Sequence, residues 1–241
     1  MLSIEPSMSK PRKPPFIAGL YQYCRAGRCR QPTKTLEEIA LSLQVNPGYG
    51  DMLTVLSGDR HCTAALSQLG LKVTKTFEDA PAFVKANAAH LMKHWMCIWA
   101  LREFGEFIWV DWDTLMANEP QNDFYEYCRE HQTPKFIRIK HYWATVNCGV
   151  YYAPYTWLDQ MVAGLEANLS EPNDELCWAA VLPKDVVSDS RFWWGSRVIN
   201  IWNEDDIQAV PAAACFLHVR DLRWSNYLGS PQKRNGEANH A

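Results

Sequence analysis

Short apolar runs alternate with amphipathic segments along the first eighty residues. The runs "PFIAGLYQYC", "DMLTVLSGD" and "KVTKTFE" predict strands, and "TKTLEEIALSLQ" and "HCTAALSQLGL" between them predict helices. The first helix should be capped near Thr33 or Thr35, and the second should end at Gly70. This alternation favours an α/β fold in which a mostly parallel sheet is flanked by helices on both faces.

A longer amphipathic segment runs from Pro81 to about Arg102 and predicts a helix that ends near Gly105. The residues of its apolar stripe are Val84, Ala88, Leu91, Trp95 and Ile98. The apolar run "FIWV" follows and predicts a strand buried on both faces that ends at Asp111. Open α/β sheets bind ligands beyond the carboxyl ends of their strands, so Asp111 is expected at a ligand site.

The remainder of the chain continues the pattern as far as its last dozen residues. "KFIRIK" and "VNCGVYYAP" predict strands, and helices are predicted from about Tyr155 to Leu169 and in "NDELCWAAVL". Residues 1–14 and 229–241 carry polar residues without periodicity and are expected to be flexible tails. Residues 15–228 should form a single domain, since 241 residues suit one large core.

Composition excludes a few classes of function. A net charge of -3 and a pI near 6.2 give no general attraction to nucleic acid, although a local basic patch remains possible. The eight cysteines are scattered, which favours reduced thiols over a disulfide framework. No segment has the length and apolarity of a membrane helix or the core of a signal peptide, so a cytoplasmic location is expected.

The pair Asp111 and Asp113 is the first candidate for chemistry. In a continuing strand the two carboxylates would share one face, and in a turn they could converge on one ion. Mg²⁺ and Mn²⁺ prefer oxygen ligands, commonly one or two carboxylates together with substrate phosphates. A plain turn at the end of a strand is the alternative, because Asp is common in loops.

The stretch "FIWVDWDTLM" resembles the strand and Asp-x-Asp motif of the GT-A fold glycosyltransferases, especially the group of glycogenin and the bacterial lipooligosaccharide galactosyltransferases. Downstream, "TVNCGVYYAP" resembles the family's Asn-x-Gly-Val strand. There Asn147 would face the sugar and Gly149 would let the backbone approach closely. "PNDELCWAAVL" resembles the Asp-Gln segment beside the donor sugar, with Asp174 as the aspartate and Glu175 in place of the usual glutamine.

Two further segments complete the resemblance. "CFLHVRDLRW" is similar to the family's closing strand, so His218 would complete the metal site, and Arg223 and Trp224 would contact the diphosphate. Arg220 competes with Arg223 for that role. Lys93 would be the family's basic residue on the helix before the Asp-x-Asp strand.

Periodicity places Lys93 opposite the apolar stripe, as expected of a solvated lysine, and makes its neighbours Asn87, His90 and His94 rival contacts to the donor. The nucleobase is expected near Gly19 to Tyr23, at the end of the first strand.

This resemblance implies a metal-dependent transfer of a hexose from a nucleotide sugar, most simply a UDP-sugar, with retention of configuration. Asp111, Asp113 and His218 would bind Mn²⁺ or Mg²⁺, and the metal would stabilise the leaving diphosphate. Asn147, Asp174 and Glu175 would lie at the transferred sugar, although an N-cap and a first-turn acid would also explain Asp174 and Glu175.

The acceptor stays open: a glycan, a protein, a small molecule or a modified nucleobase. Alternatives for the whole chain are a sugar-nucleotide nucleotidylyltransferase and a non-catalytic nucleotide-sugar-binding protein. The first lacks a Gly-rich phosphate loop here, and the intact Asp111, Asp113 and His218 argue against the second.

Overall fold

The computed structural model describes residues 13–138, 146–167, 181, 193–194, 198–201, 210, 212 and 214–219. Its strands are β1 (Phe16–Leu20), β2 (Tyr23–Arg25), β3 (Arg28–Arg30), β4 (Leu53–Ser57), β5 (Val73–Thr76), β6 (Glu106–Val110), β7 (Thr114–Met116), β8 (Lys135–Arg138), β9 (Val146–Pro154), β10 (Trp193–Trp194), β11 (Val198–Ile201) and β12 (Phe216–Val219). Its helices are α1 (Thr33–Val45), α2 (Tyr49–Met52), α3 (Arg60–Gln68), α4 (Ala82–Ala86), α5 (Ala88–Phe104), α6 (Asn122–Arg129) and α7 (Leu158–Ala167). Short 3-10 turns cover Glu130–Gln132 and Tyr155–Trp157.

The central sheet has the strand order β5-β4-β1-β6-β9-β8 within the described residues. Strands β5, β4, β1 and β6 pair in parallel, as the alternating pattern predicts. Strand β9 runs antiparallel to both β6 and β8. The predicted mostly parallel sheet flanked by helices is therefore confirmed. Every residue of β1 is buried, and so are residues 107–110 of β6, because both strands lie inside the sheet.

The strand that follows β6 along the chain, β7, belongs to a second sheet. Its strand order is β10-β11-β12-β7 within the described residues. Strand β7 begins immediately after Asp113 and pairs antiparallel with β12, which places His218 opposite Thr114. The sequence "DWD" is therefore the link between the two sheets, and the late strand β12 lies beside it.

The helix predicted from Pro81 to Arg102 is in fact two helices, α4 and α5. Asn87 interrupts the helical backbone with φ -124° and ψ 33°, and its side-chain oxygen accepts a hydrogen bond from the backbone N–H of Ala26. Helix α5 ends at Gly105 in the left-handed conformation, as predicted. It buries residues around its whole circumference, because it packs against the sheet on one side and against α7 on another.

The segment predicted as one first strand is a strand and part of a hairpin. Strand β1 ends at Leu20, and β2 and β3 form an antiparallel hairpin that places Cys24 directly opposite Cys29. These two cysteines form a disulfide, so the prediction of reduced thiols is wrong for this pair. The scattered spacing gave no sign of it, because a tight hairpin brings together residues that are not in a short Cys motif. The free cysteines of the described residues are Cys62, Cys97, Cys128, Cys148 and Cys215.

Two local details complete the frame. Helix α1 begins at Thr33 with Pro32 at the N-cap position and no side-chain cap, so the threonine cap is wrong. Helix α3 is capped by Asp59, whose carboxylate accepts from the N–H of Cys62 at 2.9 Å. Among the described residues, no helix combines the length and apolarity needed to cross a membrane.

Candidate active site

A cleft of about 330 Å³ opens at the carboxyl ends of β1 and β6. Its lining includes Gly19, Tyr21, Tyr23, Lys93, Asp111 and Asp113. The nucleobase position expected near Gly19 to Tyr23 and the Asp-x-Asp pair therefore share one cavity. This is the edge of the sheet at which open α/β folds bind their ligands.

Asp111 is held in place by three neighbouring groups. Its backbone N–H donates to the carbonyl of Gly149 at 2.7 Å, which ties the end of β6 to β9. Lys93 Nζ donates to both carboxylate oxygens of Asp111 at 2.9 and 3.0 Å, and the indole N–H of Trp109 donates to Oδ1 at 2.7 Å. Burial raises the pKa of Asp111, and Asp113 adds to the rise, while Lys93 opposes it.

Asp113 and His218 form the second half of the site. Nε2 of His218 lies 3.1 Å from Oδ1 of Asp113, and the backbone N–H of Val219 donates to the carbonyl of Asp113 at 2.8 Å. Burial alone would raise the pKa of Asp113, but the His218 imidazolium brings it below the usual value. Burial opposes the charged form of His218, yet the charge of Asp113 and the hydrogen bond to it raise its pKa. The two form an ion pair when His218 is protonated.

Asp111, Asp113 and His218 together form a group that could hold a metal ion. One ligand atom from each lies within 4.8 Å of the other two. The two carboxylates are ligands that Mg²⁺ and Mn²⁺ prefer, and the imidazole of His218 would complete the set. Burial raises the pKa of Tyr49, and the nearby carboxylates of Asp111 and Asp113 add to the rise. When His218 is neutral, as a ligating imidazole must be, two carboxylates face the single positive charge of Lys93. The residues therefore fit the metal that the resemblance implies.

Strand β9 brings Gly149 against His218, and Asn147 lies two residues before this glycine on the same strand. A Cβ at Gly149 would collide with the imidazole ring of His218, so the missing side chain is what allows the histidine to lie there. The resemblance predicted that Gly149 lets the backbone approach the donor closely. In the structure the group that lies against Gly149 is the imidazole of His218. Oδ1 of Asn147 accepts from the N–H of Gly149 at 3.0 Å, which orients its amide.

Lys93 departs from the sequence-based interpretation. It is 3% exposed, so the solvated lysine expected from periodicity is wrong. Besides Asp111, it donates to the carbonyl of Cys148, and its ammonium lies 5.3 Å from the centre of the Trp109 ring. Helix α5 is buried all round, so its apolar stripe does not separate an inner from an outer face. The resemblance predicted Lys93 at the site, and the structure places it there.

His94 and Asn87, two of the predicted rivals of Lys93 as contacts to the donor, are hydrogen-bonded to other parts of the fold. His94 is 1% exposed, and its Nε2 lies 2.7 Å from the carbonyl oxygen of Met161 on α7. Asn87 bonds to Ala26 and, through its amide nitrogen, to the carbonyl of Phe83. These contacts join helices and the hairpin to each other, so they give no support to a role in binding the donor.

Two tryptophans at the site were missed by the sequence reasoning. The Trp109 indole bonds to Asp111, and the Trp112 indole donates to the carbonyl of Gly19 at 2.9 Å, which ties the Asp-x-Asp link to β1. Spacing offered a signal for Trp109, because residues two apart in a strand share a face. The predicted residues Asp174, Glu175, Arg220, Arg223 and Trp224 lie outside the described residues, and their roles stay predictions.

The fold is that of GT-A glycosyltransferases. A glycosyltransferase involved in the glycosylation of the major capsid of PBCV-1 gives a TM-score of 0.50 at 11% identity, over 90% of this chain and all of that one. Mouse xyloside xylosyltransferase 1 gives 0.51 at 8% identity, over 85% and 97%. The bifunctional glycosyltransferase WbbM gives 0.51 at 8% identity, over 92% of this chain and 50% of that one. No protein-family model and no curated protein matches the sequence.

At such identities the likeness establishes the fold alone. It confirms the GT-A architecture predicted from the Asp-x-Asp and Asn-x-Gly-Val segments. Within that fold the chain has an Asp-Asp-His group that could hold a metal.

The affinity of this group for Mn²⁺ should rise with pH. A ligating imidazole must be neutral, and the pKa of His218 is raised above its ordinary value of 6.5. Bound protons therefore oppose the metal until the pH passes that raised pKa. In the metal-free protein the stability contributed by the Asp113–His218 ion pair has the opposite dependence on pH. It is complete between the ordinary pKa of a carboxyl, 3.8, and that of an imidazole, 6.5. It is lost as the pH rises through the raised pKa of His218 or falls through the lowered pKa of Asp113.

Calorimetric titration with Mn²⁺ from about pH 6 to about pH 9 checks this expectation. His218→Gln should bind more weakly and lose most of the pH dependence, because the titrating ligand is gone. A wild-type affinity that stays constant over this range would contradict ligation by His218.

Proposed function

We propose that this protein is a metal-dependent glycosyltransferase that moves a hexose from a UDP-sugar to an acceptor hydroxyl. The observation that carries the proposal is the convergence of Asp111, Asp113 and His218 at the rim of a cleft at the carboxyl ends of β1 and β6. The GT-A fold gives this arrangement its context, because the likeness extends over most of the chain.

The reaction exchanges one bond for another at the anomeric carbon. The bond from this carbon to the diphosphate oxygen breaks, a bond to the acceptor oxygen forms, and the hydroxyl proton passes to a base. The nucleoside diphosphate leaves. Asp111, Asp113 and His218 would hold Mn²⁺ or Mg²⁺, which as a Lewis acid stabilises the negative charge that develops on the diphosphate.

The chain's own residues position the reactants. Lys93 keeps both oxygens of Asp111 in a fixed orientation, and His218 does the same for Asp113. The amide nitrogen of Asn147, whose oxygen is bonded to Gly149, would donate to a hydroxyl of the transferred sugar. At the other end of the cleft, Tyr21 and Tyr23 would lie beside the uracil.

Residues beyond the described part of the chain complete the proposal. Asp174 would bind a sugar hydroxyl, and Arg223 and Trp224 would contact the diphosphate. Glu175 would lie near the anomeric carbon, where it could act as nucleophile, ion-pair stabiliser or general base. We propose retention of configuration and a cytoplasmic setting.

Calorimetric titration with UDP, UDP-glucose and GDP-mannose, with and without Mn²⁺, tests this function. We expect binding of UDP and UDP-glucose that requires Mn²⁺ and is lost in Asp111→Asn/Asp113→Asn. Weak binding of GDP-mannose would fit a uracil pocket near Tyr23. Absence of nucleotide binding under every metal condition would overturn the transferase and favour a protein that shares only the fold.

A further inference from the structure

The hairpin β2–β3 presents three arginines on one face. Its register pairs Tyr23 with Arg30, Cys24 with Cys29 and Arg25 with Arg28. Residues directly opposite each other share a face, and so do residues two apart, so Tyr23, Arg25, Arg28 and Arg30 project together. The disulfide lies on the other face, where Cys24 is 5% exposed. We call the four-residue surface the arginine face.

The positive charge of the arginine face is not balanced locally. All three arginines are exposed, and none of their guanidinium groups has an ion-pair or hydrogen-bond partner among the described residues. Arg25 and Arg28 lie directly opposite each other, which is unfavourable for like charges. The chain as a whole carries a net charge of -3, so this concentration of positive charge is local. An anionic ligand bound there would reduce the repulsion between the arginines.

The arginine face is held firmly beside the active-site cleft. Tyr23 belongs to both, since it lines the cleft together with Asp111 and Asp113. The turn of the hairpin is attached to the helices behind it, because the N–H of Gly27 donates to the carbonyl of Ala86 at 2.9 Å. The disulfide fixes the pairing of the two strands. An anionic chain on this face would therefore be led to the mouth of the cleft.

The chemistry of the face fits a nucleic-acid strand better than a lipid surface. A row of guanidiniums suits the successive phosphates of a polymer, and exposed aromatic rings offer stacking platforms for unpaired bases. Tyr23 is 45% exposed, and its hydroxyl is hydrogen-bonded to Thr35 Oγ1 at 3.0 Å, which fixes the ring. A membrane-binding surface would need large apolar side chains to insert between the lipids. Residues 21–30 expose no aliphatic side chain larger than that of Ala26.

We propose that the arginine face binds single-stranded nucleic acid and holds it beside the cleft as the acceptor-bearing polymer. The second half of this statement rests on the proposed glycosyl transfer, and the binding itself does not. The hydroxyl that receives the sugar would then belong to a modified, hydroxyl-bearing base, which a single strand can present without the unstacking that a duplex requires.

Fluorescence anisotropy of a labelled single-stranded oligodeoxynucleotide, measured over a series of salt concentrations, tests the binding. Arg25→Gln/Arg28→Gln/Arg30→Gln should weaken binding and reduce the slope of log affinity against log salt by about 2, because each phosphate contact on a single strand contributes roughly 0.7. The matched control is Lys13→Gln/Lys72→Gln/Arg102→Gln, which removes the same charge from exposed positions near the beginnings of β1, β5 and β6. The control should keep the slope and affinity of the wild type.

Three outcomes would overturn the proposal. Equal losses in both triple variants would mean that net charge, rather than this face, attracts the strand. Absence of oligonucleotide binding would also overturn the proposal. So would binding of the protein to vesicles that contain anionic lipid in place of binding to the oligonucleotide. Calorimetry with UDP and Mn²⁺ on the same samples separates this result from the transferase proposal, because it reports the donor site alone and should be unchanged in both triple variants.

Discussion

Replacement of Asp113 by Asn should weaken Mn²⁺ binding more than about a hundredfold and abolish Mn²⁺-dependent binding of UDP, while the fold is kept. Asp113 is bonded to His218 through Oδ1, so one substitution removes a charged ligand and the anion that positions a second ligand. Loss of a group that only supports a metal ligand already costs ten- to hundredfold in affinity. Loss of the ligand itself should therefore cost more. Calorimetry with Mn²⁺, and then with UDP in the presence of Mn²⁺, measures both effects.

Asp79→Asn is the matched control. Asp79 is an exposed aspartate in a surface ion pair with Lys75, and such pairs contribute little. This variant should bind Mn²⁺ and UDP like the wild type. Circular dichroism should show native secondary structure in both variants, since Asn has nearly the volume of Asp. Unchanged Mn²⁺ affinity in Asp113→Asn would exclude the proposed metal group.

The position of the Asp-x-Asp pair could be predicted from local sequence alone. "FIWV" is too apolar to lie anywhere but inside the sheet, and a strand buried on both faces delivers the next residues to its edge. The strand β9 was predicted from "VNCGVYYAP", but its antiparallel direction was not. Direction depends on which edge of the sheet the chain reaches after β8, and residues 141–145, between the two predicted strands, gave no prediction of that edge.

The arrangement around the pair depended on contacts that local sequence does not encode. His218 is 105 residues from Asp113, and only the pairing of β12 with β7 brings the two together. The resemblance predicted His218 as a site residue, whereas the hydrophobic periodicity gave no information about it. Periodicity misplaced Lys93 for a related reason: the hydrophobic pattern of α5 describes a helix with one exposed face, and this helix is covered on several sides.

Replacement of Lys93 by Met should destabilise the metal-free protein, and Mn²⁺ should restore much of the loss. The substitution removes the Lys93 ammonium from Asp111, which lies beside Asp113, and removes the hydrogen bond from Lys93 to the carbonyl of Cys148. Breaking a buried ion pair costs about 3–5 kcal/mol, and because 34% of the Asp111 side chain is exposed we expect about 2–3 kcal/mol. For a chain of this size the melting temperature should fall by about 5–10 °C. Thermal unfolding with and without Mn²⁺ measures this fall in melting temperature and its recovery by the metal.

The double variant Lys93→Met/Asp111→Asn separates the effect of charge from that of packing. It removes both members of the ion pair, and the Asn oxygen can still accept from the Trp109 indole. If the isolated negative charge causes the loss, the double variant should be more stable than Lys93→Met without metal, and Mn²⁺ should stabilise it much less. Lys72→Met, at an exposed position, should melt like the wild type. A single variant that is no less stable than the wild type, or that Mn²⁺ stabilises no more than the wild type, would show that Lys93 does not neutralise Asp111 in the metal-free site.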